Sequence, residues 1–182
     1  MFAVNLPEPM LLLSCCAPCS CAVIQHLAHI GLNFTVVFYN PNIRPFEEYE
    51  KRRLENERLC AAFDVPFVSL EYDHDRWCQL VTGLEDEPER GRRCDVCFEM
   101  RLRRVAQYAE ENGFQSVSSV LGVSKYKDFE QVNRAGQRAF QKADLSYMPV
   151  NWRKGGLEQI RQVLQKELGL YAQKYCGCRP RD

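Results

Sequence analysis

The stretch MLLLSCCAPCSC, from Met10 to Cys21, joins a short apolar run directly to a cysteine-rich segment. An apolar run of this length, bounded by turn-forming residues, is typical of a strand that is buried on both faces of a parallel sheet. The residues from Cys19 to Ile30 then repeat apolar side chains at helical spacing, and Gly31 supplies a stop. The stretch therefore predicts a strand, a cysteine-bearing loop and a helix in direct succession.

Apolar runs of the same kind recur along the chain, and amphipathic helical segments separate them. The predicted strands are Met10–Leu13, Phe34–Asn40, Phe67–Leu70, Val117–Gly122 and Tyr147–Trp152. This alternation predicts an α/β fold, a Rossmann-like three-layer sandwich with a mostly parallel sheet of about five strands. Because Pro149 cannot donate a hydrogen bond to a neighbouring strand, we expect the fifth strand at an edge. We expect a single domain over residues 1–182, with a C-terminal CxC segment over residues 170–182.

Length and charge narrow the class of protein. A chain of 182 residues suits one ordinary domain. Its 24 basic and 24 acidic side chains leave no formal net charge, which excludes a generally basic nucleic-acid coat protein but not a local basic face. No apolar run approaches the roughly 20 residues of a membrane helix. Residues Met1–Met10 show no basic segment leading into an apolar one, so no signal peptide is predicted. We expect a cytoplasmic protein with no membrane partner.

The ten cysteines are clustered rather than scattered. Four lie in SCCAPCSC (14–21), two in the CxxC of Cys94–Cys97 and two in the CxC of Cys176–Cys178, while Cys60 and Cys78 are isolated and predicted to be small core residues. In a reducing compartment, clustered cysteines indicate metal binding or redox chemistry more often than a disulfide framework. The first cluster follows the first strand, and such sheets bind ligands beyond the carboxyl ends of their strands. We therefore predict the functional site there.

The first two clusters have the features of metal sites. Both lie at predicted helix beginnings, where unpaired N–H groups and the helix dipole favour the thiolate that binds metal, and Arg92 and Arg93 directly before Cys94 act in the same direction. A pair from the first loop and the CxxC pair give four thiolates, which fits tetrahedral zinc or a [4Fe–4S] cluster. The adjacent Cys15 and Cys16 cannot easily bind one zinc ion together, which favours the cluster. A zinc-stabilised nucleic-acid-binding module without catalysis is the alternative.

The CxC near the C-terminus is a different signal. A disulfide between residues two positions apart closes a very small ring, and a strained ring is easily reduced. Gly177 removes the steric obstacle to the turn that the ring needs. The pattern favours a redox pair, and two more metal ligands remain the alternative.

Two nucleotide-binding motifs are absent from the sequence. It contains neither GxxxxGK[ST] nor GxGxxG, so it gives no support to a phosphate-loop NTPase or a dinucleotide-binding enzyme. A tRNA sulfur-transfer enzyme on a similar fold would need ATP, and the missing phosphate loop speaks against it.

With these motifs in view, the chain resembles the QueH-type epoxyqueuosine reductases. The matching stretches are SCCAPCS (14–20), FYNPNI (38–43), EEYEKR (47–52), GLEDEPERGRRCDVCFEMRL (83–102) and LYAQKYCGC (170–178). The resemblance implies a Rossmann-like core, a [4Fe–4S] cluster and an additional mononuclear iron beside it. It also implies the last step of queuosine biosynthesis, the two-electron reductive deoxygenation of epoxyqueuosine in tRNA to queuosine.

The resemblance also implies residue roles, carried over by position. The cysteines of the first loop and of the CxxC become cluster ligands: Cys15, Cys16, Cys94 and Cys97. Cys176 and Cys178 become a redox-active pair that supplies or relays electrons from an unidentified electron donor. Cys19 and Asp95 lie inside the matched motifs and are candidates for holding the second iron.

The implied partner is tRNA carrying epoxyqueuosine at the anticodon wobble position. Candidate substrate-binding residues lie after the second strand and before the CxxC: Tyr39, Asn40, Asn42, Arg90, Arg92 and Arg93. A second basic stripe, at helical spacing, consists of Arg134, Arg138 and Lys142. The group of Arg101, Arg103 and Arg104 is interpreted as a solvated helix face. Binding of tRNA through phosphates would depend steeply on salt concentration.

Overall fold

The computed structural model describes residues 6–179 and shows strands and helices in alternation. The strands are β1 (Met10–Ser14), β2 (Phe34–Phe38), β3 (Phe67–Ser69), β4 (Ser116–Ser119) and β5 (Ser146–Met148). The helices are α1 (Ala17–His29), α2 (Phe46–Ala62), α3 (His74–Leu80), α4 (Arg92–Glu111), α5 (Phe129–Ala139) and α6 (Leu157–Glu167). A 3₁₀ turn (Leu121–Val123) follows β4. Residues 1–5 and 180–182, at the two ends of the predicted domain, lie outside the described residues.

The strands form one parallel sheet in the order β3-β2-β1-β4-β5. Helices α2 and α6 both contact α1 on one side of the sheet, whereas α3 and α5 contact α4 on the other. The predicted α/β three-layer sandwich is therefore confirmed. Strand β5 lies at an edge, as Pro149 directly after it predicts.

Strand β1 is the centre of the sheet and is buried along its whole length. From β1 the chain adds β2 and β3 on one side, and later β4 and β5 on the other. The order of strands therefore reverses at the carboxyl ends of β1 and β4, which is where α/β sheets form their ligand-binding crevice. The loop after β1 carries Cys15 and Cys16, and the chain after β4 leads through the 3₁₀ turn to Lys127.

Four of the predicted strands extend too far, the third by the single residue Leu70 and the others by more. The chain leaves the sheet after Phe38, after Ser119 and after Met148, and the apolar residues that follow lie in turns. For example, the N–H of Val123 donates to the oxygen of Val120 at 3.0 Å, within the 3₁₀ turn. Burial makes these residues apolar, and burial alone does not distinguish a strand from a buried turn.

The helical stripe predicted for α4 is confirmed. Its buried apolar residues are Phe98, Leu102, Val105, Ala106 and Ala109. This packing fixes the helix, with the CxxC in its first two turns, against the sheet. Within residues 6–179, no helix has both the length and the apolar character needed to cross a bilayer.

Candidate metal–thiolate centre

Three cysteine thiols meet at the carboxyl end of β1. The sulfur atoms of Cys15, Cys16 and Cys19 all lie within 4.8 Å of one another, and those of Cys15 and Cys16 are 3.8 Å apart. All three residues are buried, at 5%, 1% and 9% exposure. Cys19 reaches the group from the first turn of α1, where its N–H donates to the oxygen of Cys16 at 3.2 Å. The arrangement can bind a metal group through three thiolates.

Buried polar side chains hold this loop in place. The hydroxyl of Ser14 donates to Oδ1 of Asn56 at 2.5 Å, and Nδ2 of Asn40 donates to the oxygen of Ser14 at 2.9 Å. Asn40 in turn accepts a hydrogen bond from Arg101, which also donates to the oxygen of Tyr39 at 3.1 Å. Because every residue in this series of hydrogen bonds is buried and has a partner, the conformation of the cysteine loop is fixed before any ligand binds.

Two buried cations accompany the thiols. Lys127 is 5% exposed and Arg101 is 1% exposed. Burial by itself lowers the pKa of Lys127, but the neighbouring Cys15 and Cys176 thiols outweigh it and raise that pKa above its usual range. Among residues 6–179, no carboxylate lies within 4.0 Å of the Lys127 ammonium. Thiolates therefore provide its counter-charge.

The three thiols do not ionise alike. Hydrogen bonding with Cys16 and Cys19 holds the pKa of Cys15 well below its usual range. Hydrogen bonding with Cys15, together with burial, raises the pKa of Cys16 to about 12, and hydrogen bonding with Cys15 and Cys16 raises the pKa of Cys19. A buried lysine beside one favoured thiolate, with two more thiols in contact, fits a group that is anionic when bound by thiolates, such as an iron–sulfur cluster.

The CxxC lies in the first two turns of α4, close to the same centre. The sulfur of Cys94 accepts a hydrogen bond from the N–H of Arg90 at 3.3 Å. Burial raises the pKa of Cys94 to about 11 and also raises the pKa of Cys97. Both thiols interact electrostatically with Cys176, although neither joins the group of three within 4.8 Å. Their role as ligands, and that of the half-buried Asp95 between them, stays a prediction.

The CxC also lies at this centre. Both Cys176 and Cys178 are half-buried free thiols. Hydrogen bonding with Cys178 lowers the pKa of Cys176 to about 6, and Lys127 and Arg101 act in the same direction. The partner thiol, Cys178, has its pKa raised far above the usual range by the same contact. Cys176 also interacts with Cys15, so one pair of cations serves both cysteine groups.

Arg52 holds the CxC segment. Its guanidinium, 2% exposed, donates to the oxygen of Cys176 at 2.8 Å and to Glu48 at 2.7 Å. Gly177 adopts φ +123°, and a Cβ there would lie 2.9 Å from Cγ1 of Ile43. Glycine is therefore required between the two cysteines. The stretches FYNPNI and EEYEKR thus supply the surface on which the CxC lies.

The six predicted substrate-binding residues fall into two groups. Four are buried: Tyr39, Asn40, Asn42 and Arg93. Arg93 donates to the oxygen of Glu85 at 2.5 Å, so its charge is used inside the protein. Arg90 and Arg92 are exposed. The role of all six residues as substrate contacts stays a prediction. Of the six, the two exposed arginines are the ones that a phosphate could reach from solvent.

Sequence reasoning missed both buried cations. Arg101 was placed on a solvated face, which is wrong because its guanidinium is 1% exposed and is used by the oxygen of Tyr39 and by Asn40. The signal was its helical spacing, four residues after Cys97 and three after Phe98, which puts it on the buried side of α4. Lys127 had no local signal, because only the strand order brings the chain after β4 to the end of β1.

Of the two isolated cysteines, one behaves as predicted. Cys60 is fully buried, which confirms a core role. Cys78 is exposed, so its predicted place in the core is wrong. It lies on α3, a short helix whose buried side is taken by Trp77, and its sulfur is 3.4 Å from Nε2 of His74.

The lowered pKa of Cys176 predicts its reactivity in the metal-free, reduced protein. Because the thiolate is the reactive form, alkylation of Cys176 by iodoacetamide should rise with pH and reach half its maximum near pH 6. Lys127→Met removes a charge that lowers this pKa and should move the midpoint upward. Mass spectrometry of the peptide containing Cys176 measures the rate. A midpoint near the ordinary thiol value of about 8.5 in the unaltered protein would contradict the assignment.

Comparison with known proteins gives a consistent result. The family model described as "Epoxyqueuosine reductase QueH" matches residues 10–180. Proteins of the same name include that of Histophilus somni (strain 129Pt), 48% identical over 170 residues, which are 93% of this chain and 70% of that one. The protein of Acinetobacter baylyi (strain ATCC 33305 / BD413 / ADP1) is 45% identical over 173 residues, 94% and 79% of the two chains. That of Thermotoga maritima (strain ATCC 43589 / DSM 3109 / JCM 10099 / NBRC 100826 / MSB8) is 35% identical over 167 residues, 90% and 85%.

Proposed function

Because the chain belongs to the QueH family of epoxyqueuosine reductases, we propose that it reduces epoxyqueuosine in tRNA to queuosine, the last step of queuosine biosynthesis. It is an oxidoreductase, and its substrate is the modified nucleoside at the wobble position of the anticodon. The reaction takes place in the cytoplasm, where a reducing environment keeps the cysteines as thiols.

The observation that carries the proposal is the group of three thiols at the end of β1, beside two buried cations that also interact with Cys97 and Cys176. We assign a [4Fe–4S] cluster to Cys15, Cys16, Cys94 and Cys97. The sulfur of Cys19 lies within 4.8 Å of the first two sulfurs, so Cys19 would be available as a ligand for a second iron. Lys127 and Arg101 supply the positive charge that an anionic thiolate-bound cluster needs in a buried site.

The chemistry of the reaction calls for both a redox-active dithiol and cysteines that hold metal. Removing the epoxide oxygen takes two electrons and two protons, leaves a carbon–carbon double bond and releases water. Oxidation of Cys176 and Cys178 to a disulfide yields two electrons and two protons, so each turnover consumes one dithiol and an external donor must reduce the disulfide again. A bound iron–sulfur cluster passes electrons singly, and a neighbouring iron acts as a Lewis acid toward an oxygen.

The chain's own residues prepare the site for this chemistry. Arg52 keeps the CxC beside the centre through its hydrogen bond to the oxygen of Cys176. Lys127 and Arg101 lower the pKa of Cys176, so its thiolate is available at neutral pH. The buried, hydrogen-bonded residues Ser14, Asn40 and Arg101 fix the loop that carries the first cysteines.

The zinc-stabilised module is not favoured. It would use neither the CxC pair nor the buried lysine, yet both lie at the cysteine centre. A zinc ion held by Cys16, Cys19, Cys94 and Cys97 would also leave Cys15 without a role, although its sulfur lies 3.8 Å from that of Cys16.

The direct test is conversion of the nucleoside. Protein reconstituted with iron and sulfide without oxygen is incubated with tRNA that carries epoxyqueuosine and with a dithiol donor. The tRNA is then digested to nucleosides, which are separated by liquid chromatography and identified by mass spectrometry. We expect epoxyqueuosine to be replaced by queuosine, lighter by one oxygen atom. Unchanged nucleoside with fully loaded protein would refute the proposal.

A further inference from the structure

A cleft of about 810 Å³ opens beside Cys19. The start of α1, the chain after the 3₁₀ turn, the start of α6 and the segment before the CxC form its walls. Its basic lining residues are Arg90, Lys125, Arg153, Arg161 and Lys174. Among the described lining residues, Glu158 is the only acidic one. The cleft is therefore strongly positive in a chain that has no net charge.

The lysines of this cleft carry charge that no acid offsets. Glu158 binds Arg161, with the two side chains 2.6 Å apart. Lys125 and Lys174 are both exposed, and among residues 6–179 no carboxylate lies within 4.0 Å of either ammonium. Exposed, unpaired ammonium groups in a concave surface attract a polyanion.

The wall of the cleft and the cysteine centre are parts of one segment. Nη2 of Arg90 donates to the oxygen of Lys125 at 2.7 Å, and Nη2 of Arg153 donates to the oxygen of Ser124 at 2.8 Å and to that of Lys127 at 3.2 Å. These bonds fix the chain that places Lys125 in the cleft and Lys127 at the thiols. A ligand in the cleft therefore lies against the reacting centre.

The cleft also offers an aromatic surface. Tyr126 lines it, half-buried, and its hydroxyl donates to the oxygen of Lys174 at 2.7 Å. The ammonium of Lys125 lies 5.2 Å from the centre of the Tyr126 ring. Phosphate-binding cations beside an aromatic ring are the combination with which proteins hold unpaired nucleotides. The volume falls within the roughly 300–1,000 Å³ of small-molecule sites, enough for one nucleoside.

Several other surface arginines are paired with carboxylates. On α5, Arg138 binds Glu99 at 2.9 Å. A second cavity of about 390 Å³ between α3 and α4 contains Arg103 and Arg104, but these pair with Glu99 and Glu71. Lys125 and Lys174, in contrast to these arginines, line the same cleft as Cys19.

We propose that this cleft binds the substrate RNA, with Lys125 and Lys174 contacting phosphates on either side of the modified nucleotide. The target base leaves its stack and enters along Tyr126 toward Cys19, because a centre buried in the protein cannot reach a stacked base. This assignment rests on the proposed function and adds where, and by which residues, the RNA is held.

The test measures affinity for tRNA that carries epoxyqueuosine, by fluorescence anisotropy with the iron-loaded protein at several salt concentrations. We expect Lys125→Ala and Lys174→Ala each to weaken binding about fivefold and to reduce the salt slope by about 1, because each removes one phosphate contact. The double variant should weaken binding about twentyfold or more. Iron content should stay that of the unaltered protein, which shows that the variants fold and load normally.

Lys142→Ala is the matched control, because it removes one exposed lysine from the alternative basic stripe and should leave affinity unchanged. If the unaltered protein binds tRNA in a salt-dependent way but both cleft variants bind equally well, or if Lys142→Ala weakens binding as much, the cleft assignment is overturned and the reductase remains. If the iron-loaded protein neither binds nor converts this tRNA, the proposed function itself fails.

Discussion

The Cys94→Ser variant is expected to emerge from anaerobic reconstitution without a four-iron cluster and with roughly 10³-fold or more of its reductase activity lost. Cys94 lies in the first turn of α4, is half-buried, and interacts electrostatically with Cys97 and Cys176. A serine hydroxyl is a hard, weakly acidic ligand that iron–sulfur clusters bind poorly in place of a thiolate. Iron and acid-labile sulfide analysis, together with the visible absorption spectrum, measures the loss.

Cys78→Ser is the matched control for this experiment. It makes the same chemical change at an exposed cysteine on α3, and it should keep full iron content and activity. A full cluster in Cys94→Ser would remove Cys94 from the ligand set. The position of Cys19, within 4.8 Å of Cys15 and Cys16, would then make Cys19 the fourth ligand.

The second large effect is expected for Cys176→Ser. The variant should keep its cluster, yet multiple turnover with a dithiol donor should fall by about 100-fold. A serine cannot form the disulfide, so the electrons that the donor supplies no longer reach the centre. Time courses of nucleoside conversion under donor excess measure this loss.

A single-turnover experiment separates this role from a structural one. With dithionite kept in excess as the electron source, Cys176→Ser should convert the first equivalent of substrate at nearly the unaltered rate. Loss of the first turnover together with iron would show that Cys176 is a metal ligand instead. Full multiple turnover in the variant would eliminate the electron relay.

Local patterns carried much of the fold and of the candidate site. Alternating apolar runs predicted the parallel α/β sheet, and the cysteines after β1 marked the centre that the strand order places at the crevice. The predictions that are wrong concern residues whose surroundings depend on contacts between distant parts of the chain. The strand predicted to end at Gly122 and the solvated face predicted for Arg101 were both inferred from local composition. The surroundings of Arg101 are instead set by Tyr39 and Asn40, which are distant in the sequence.

Lys127 shows why part of the site escaped the sequence. A lysine between polar residues resembles any surface position, and only its place after β4, next to β1, makes it a buried counter-charge to thiolates. A buried ammonium without a carboxylate partner among the described residues is costly unless the group it faces is anionic.

The most direct test of the central claim is the metal content of the unaltered protein, purified and reconstituted without oxygen. We predict four or more iron atoms per chain with matching acid-labile sulfide, and a broad visible absorption that reductant bleaches. One zinc ion per chain with no sulfide, in colourless protein, would contradict the iron–sulfur centre and support a structural zinc site instead.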